Sequence, residues 1–77
     1  MKSLDRLLKG QQGVIAYLTG GRKFLSRITA MGFTPDVMVS VVRNGGRGPI
    51  IASLRDTEVA LGRGEAAKIM IKGDSCE

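Results

Sequence analysis

One stretch of the chain sustains a helical period over more than two turns. In "RKFLSRITAM" (residues 22–31) the apolar residues Phe24, Leu25, Ile28 and Met31 recur at i, i+1, i+4 and i+7. That spacing is one face of a helix. Arg22, Lys23 and Arg27 lie away from the stripe. The run ends in "MGFTP". Gly32 is placed as the C′ residue in a left-handed conformation, which makes Phe33 C″ and Ile28 C3, the pair whose contact completes a Schellman ending. Pro35 stops the helix from resuming and biases Thr34 toward extended backbone.

Everything else must bury its apolar residues in short pieces. "SLDRLLKG" reads as one or two helical turns with Ser3 as N-cap, Leu4, Leu7 and Leu8 on one side and Gly10 as the stop. "QQGVIAYLTGG" is a strand bounded by glycines. "PDVMVSVV" is a strand with Val37, Val39 and Val41 on one side and Met38, Ser40 and Val42 on the other, so it is expected to be largely covered. "RNGGRGP" interrupts with an Asn-Gly hairpin signal. "IIASLR" and "EVAL" follow as strands around Asp56-Thr57, "GRGEAA" as a turn or short helix, and "KIMIK" as a closing strand.

Strand, helix, then short strands close together do not make a layered α/β sheet, which needs alternation. The expected fold is mainly β with one α-helix: a small SH3-like, partly closed barrel of about five strands, which removes most exposed edges. Residues 1–77 are expected to form a single domain, since a chain of this length buries only about 60% of its unfolded surface. Residues 1–3 and 73–77 are expected to fray.

Composition narrows the function. No apolar run approaches the roughly 20 residues of a membrane span, and the N-terminus lacks the features of a secretory signal. One cysteine, Cys76, permits no internal disulfide and fits a reducing compartment, most simply a cytoplasm. The chain has no histidine, which removes the commonest general base and metal ligand together. No paired cysteines, metalloprotease motif or phosphate loop is present, and the serines have no histidine to activate them. No catalytic residue and no cofactor is expected. Asp74, Cys76 and Glu77 are the one local group of possible metal ligands. They mix soft and hard donors on a chain end and are read as a solvated terminus, so no metal site is assigned.

The net charge of +5 is uneven: residues 1–55 hold nine Lys/Arg against two acids, and residues 56–77 hold three against five. Such a balance suits nucleic acid, an anionic surface or an acidic partner. Arg22, Lys23 and Arg27 crowd the start of a helix, where the macrodipole disfavours them. "RNGGRGP" resembles an RGG-type segment, but between strands it reads as a hairpin loop carrying its arginines to solvent.

The ordered set of motifs resembles the FeoA family, small accessory proteins of ferrous-iron uptake. Leu4, Leu7, Gly10 and Gly13 match its opening, and Gly20-Gly21 bound its helix. Arg27, Ile28, Met31, Gly32, Phe33 and Pro35 match its central motif, and Gly48-Pro49-Ile50, Ala60-Leu61, Glu65-Ala66 and Ile69 complete the match. Two positions depart. Asp36 stands where the family has a glycine, in the second central position of an expected type I turn, and Asp56-Thr57 replaces the glycine of the late hairpin. Thr57 tolerates positive φ poorly, so that hairpin is expected to use a different loop.

The resemblance implies an SH3-like fold shared with the C-terminal domain of DtxR-type repressors, no catalysis, and a cytoplasmic adaptor. The implied partner is FeoB, the membrane permease with a GTP-binding domain, with no small-molecule substrate and with contact to the membrane only through that partner. The family is also associated with transition-metal binding, for which this sequence offers no ligand set. Arg22, Lys23, Arg27 and Arg47 are the candidate partner contacts; Gly32, Phe33, Pro35, Gly48 and Pro49 are read as structural. The alternative is a basic SH3-like module that binds nucleic acid, of the ribosomal or translation type.

Overall fold

The computed structural model describes residues 2–72. In chain order it contains β1 (Lys2–Ser3), a 3₁₀ turn (Leu4–Arg6), β2 (Gln12–Leu18), α1 (Arg22–Ala30), β3 (Met38–Arg43), β4 (Ile50–Leu54), β5 (Thr57–Leu61), α2 (Arg63–Ala66) and β6 (Ile69–Ile71). The strands form one antiparallel sheet ordered β1-β6-β2-β3-β4-β5. The sixth strand beyond the expected set is β1. Lys2 and Ser3, expected to fray, pair with Ile71 and Met70.

β2 joins the two halves of the sheet. Gln12, Gly13 and Val14 pair with β3, while Ile15, Tyr17 and Leu18 pair with β6, the register shifting between Ile15 and Tyr17. A bulge of this kind bends the strand and increases its twist, curling the sheet toward a barrel. Gly13 permits the close approach of β6, because a Cβ there would run into Cγ2 of Ile71.

The core is filled from three directions. Leu4 and Leu7 come from the 3₁₀ turn and the chain after it, and Ile28 and Phe33 from α1 and its exit. Alternate strand positions supply Ile15, Val39, Val41, Ile50, Ala52, Leu54, Ile69 and Ile71. No polar or charged side chain is buried among the described residues. Fully burying a side chain of this type contributes roughly 1.5–3 kcal/mol, so apolar burial dominates the stability of the fold.

α1 ends as its sequence predicts. The Phe33 N–H donates to the Ile28 carbonyl (3.2 Å) and the Gly32 N–H to the Thr29 carbonyl (3.0 Å), with Gly32 at φ 104°. These are the two bonds of a Schellman ending. Phe33 and Ile28 are both fully buried. The next turn differs from expectation. The Val37 N–H returns to the Thr34 carbonyl (3.2 Å), and Asp36 has φ 73°. Proline followed by a positive φ is type II, not type I. The turn docks on β2, with the Asp36 N–H donating to the Ile15 carbonyl (2.8 Å) and the Ile15 N–H to the Val37 carbonyl (3.0 Å).

Other local expectations also shift. The opening segment forms a single 3₁₀ turn without a Ser3 side-chain cap, and Leu8 is 63% exposed instead of sharing the Leu4 and Leu7 side. β3 is not covered on both faces: Met38 is 49% exposed and Val42 36%. Met31, at the end of the helical stripe, is 37% exposed. The β4–β5 hairpin turns through Arg55 (φ 49°) and Asp56 (φ 67°), with Leu54 paired to Thr57. Two central residues at positive φ make a type I′ turn, and Thr57 belongs to the strand.

Candidate partner-binding surface

α1 begins without a side-chain cap. Gly21 is the N-cap, the first turn holds no acid, and Arg22 and Lys23 stand there exposed. Neither the local sequence nor the macrodipole favours two cations at that end. Further along, Arg27 is engaged. Its guanidinium pairs with the Glu65 carboxylate of α2 and lies 5.9 Å from the centre of the Phe24 ring.

Lys68 joins the same face. Its ammonium lies 5.0 Å from the Phe24 ring centre, and its carbonyl accepts from the Thr19 N–H (2.8 Å), which ties the end of β2 to the α2–β6 connection. Phe24 thus carries two cations against its ring, each such contact contributing about 0.5–1 kcal/mol at an exposed site. α1 therefore carries Arg22 and Lys23 exposed in its first turn, while Arg27 and Lys68 gather around Phe24 with Glu65 as the acid paired to Arg27.

The Glu65 carboxylate accepts the Gly62 N–H (3.1 Å) and the Arg27 guanidinium. These two hydrogen bonds, the backbone one first, hold its carboxyl below the usual carboxylate range. Glu65 thereby caps α2 and links it to α1.

Arg47 lies on a different element, the loop between β3 and β4, where it lines a groove with Arg43, Gly45, Pro49 and Ile51. Gly48 has φ 71°, and the exposed Pro49 leads into the buried Ile50. Of the residues read as structural, Gly32, Phe33 and Pro35 shape the α1 exit and Gly48 and Pro49 the entry to β4.

The Asn-Gly pair of this loop is not the centre of a two-residue hairpin turn. The Asn44 amide instead donates to the carbonyls of Asp5 (3.1 Å) and Leu7 (2.7 Å), and its oxygen accepts from the Gly46 N–H (3.3 Å) and from Arg63 (2.9 Å). Lys68 and Asn44 both escaped sequence reasoning. Their partners are distant in the chain, and a single lysine or asparagine carries no spacing signal.

No group of three or more His, Cys, Asp or Glu side chains able to hold a metal occurs among the described residues. Asp74, Cys76 and Glu77 lie outside them. No helix among the described residues is long and apolar enough to cross a membrane.

A family model described as the FeoA domain matches residues 2–73. The chain belongs to the FeoA family. A relative from Methanocaldococcus jannaschii, provisionally named Fe(2+) transport protein A, is 31% identical over 64 residues, covering 83% of this chain and 77% of its own. Among solved structures, an iron uptake regulatory protein (FeoA) superposes with a TM-score of 0.84 at 29% identity, covering 90% of this chain and 92% of that one. The zinc-complexed FeoA of Stenotrophomonas maltophilia, described as a prokaryotic SH3 domain protein, reaches the same TM-score of 0.84 at 21% identity, covering 94% and 91%. It shares the fold, and the SH3-like architecture expected from the FeoA motifs is the one observed.

Proposed function

We propose that this FeoA protein is a non-enzymatic cytoplasmic accessory of ferrous-iron uptake that binds the cytoplasmic part of a FeoB-type transporter and modulates it. The observation that carries this reading is the family match across residues 2–73, together with a relative named for Fe(2+) transport. The sequence has no histidine, the commonest general base, and this supports a reading in which the protein acts by binding. The exposed first turn of α1 offers the charge for an acidic partner, with Arg22 and Lys23 as the contacts and Arg47 as a contact on a second element.

Nucleic acid fits this surface less well. Binders of single strands add aromatic platforms, yet Phe33 is fully buried, Phe24 packs against the core, and Tyr17 is the one aromatic ring substantially exposed. Capture of the transporter's cytoplasmic part by the immobilised protein tests the reading. Wild type should retain it, and Arg22→Glu with Lys23→Glu should release it without lowering the melting temperature. Arg27 is left intact in that variant, because its reversal would also break the Glu65 pair. Retention of a nucleic acid in place of the transporter domain would overturn the proposal.

A further inference from the structure

Three arginines are gathered where the 3₁₀ turn, the β3–β4 loop and α2 meet. The first is turned outward by a bulge. Val39 and Val41 face the core, so plain alternation would send Arg43 inward as well. The register instead shifts between Val41 and Arg43, and Arg43 comes to lie opposite Ile51 with Val42 as the extra residue. Val42 and Arg43 are both exposed. Re-aiming a side chain is a recurrent use of a bulge beside a binding site.

The following residue fixes the loop. Through its four hydrogen bonds Asn44 ties the loop root to the 3₁₀ turn and brings Arg63 to it through an uncharged oxygen. Beyond this pinned root the loop carries Arg47, which with Arg43 borders the groove over Pro49 and Ile51. The ion pairs among the described residues are Arg27–Glu65 and Lys72–Asp36, so Arg43, Arg47 and Arg63 have no acidic partner there. Asp5, the acid of the 3₁₀ turn, accepts the Ser3 hydroxyl.

We propose that this groove docks an acidic, partly apolar segment of a partner protein, at a surface separate from the α1 face. Guanidinium forks match carboxylates in two parallel hydrogen bonds, which makes arginine the suited cation for such a segment. Pro49 and Ile51 beside them offer apolar area that a phosphate polymer would leave unused, and no aromatic ring lines the groove to stack a base. The proposal rests on the reading that this protein acts by binding a partner, and it names the class of segment bound.

The test maps amide resonances of the isotope-labelled full chain during titration with a short peptide of alternating glutamate and leucine. A lysine–leucine peptide and a single-stranded oligonucleotide of matching charge serve as comparisons. Shifts should concentrate between Arg43 and Ile51 and at Arg63 with the acidic peptide alone. Arg43→Glu with Arg47→Glu should weaken binding at least about tenfold, as the loss of two charge-assisted contacts implies, with an unchanged melting temperature. Shifts centred on α1, undiminished binding by the double variant, or equal binding of the oligonucleotide would overturn the proposal. Transporter capture that survives this variant but fails in the α1 variant would also overturn it while leaving the proposed function standing. Peptide binding without any transporter capture would do the reverse.

Discussion

Gly32 shows how much one residue can settle. Its φ of 104° is a conformation that side-chain-bearing residues adopt at a cost, and a Cβ there would lie 3.3 Å from Cδ1 of the buried Leu54. Both effects act in the same direction. Gly32→Ala should therefore destabilise by about 1–2 kcal/mol, lowering the melting temperature of a domain this size by roughly 4–8 °C per kcal/mol, without touching partner capture. A variant melting with wild type would refute the Schellman account. This ending was legible in the sequence because all its determinants lie between Ile28 and Pro35. Asp36, one residue on, departs from the expected type I turn: type II flips the peptide between Pro35 and Asp36 and requires a positive φ that glycine or asparagine usually supplies, so aspartate at this position did not signal it. Asp36, Arg55 and Asp56 are the non-glycine residues at positive φ among those described, and two are aspartates, whose short side chains tolerate it.

At the scale of elements, two polar side chains bind together pieces that hydrophobic burial alone leaves loose. Asn44 is half-buried and satisfies two carbonyls of the 3₁₀ turn region. Asn44→Asp keeps an acceptor for Gly46 and Arg63 but loses both donations. It should cost about 1–3 kcal/mol, the range for leaving partly buried polar groups unpaired, and should speed amide exchange around the turn. Melting and exchange identical to wild type would remove the bracket role.

Glu65 is the second such residue. Because its carboxyl is held below the usual range in the folded protein, the unfolded chain binds the extra proton as acid is added. Its stabilising contribution is thus complete above the ordinary glutamate value, about 4.3, and is lost as pH falls through the lower folded value. Melting curves of wild type and Glu65→Gln should differ at neutral pH and converge in acid. A difference that persists or widens in acid would contradict the assigned hydrogen bonds. Neither role was readable from the chain, since Asn44 meets Asp5 and Leu7, and Glu65 meets Arg27, across sequence separations that no local pattern reports.

For the whole molecule, the chain's alternation of short apolar runs and glycine-rich breaks, with one helical period ended by Gly32 and Pro35, was enough to determine a small β-rich barrel with one main helix. Local conformation and the need to bury Val, Ile and Leu, with Phe33 as the fully buried aromatic, act on neighbouring residues, so sequence order records them. The ordered motifs from Leu4 to Ile71 likewise determined the family. What only the tertiary structure decided is which charges remain available. The net charge of +5 could be counted, but folding commits Arg27 to Glu65, brings Lys68 beside Phe24, and turns Arg43 out at a bulge. It also separates the cations onto an α1 face and a β3–β4 groove. Charge pairing depends on distances of a few ångströms between residues remote in the chain, and those distances exist only once the sheet has closed around its core.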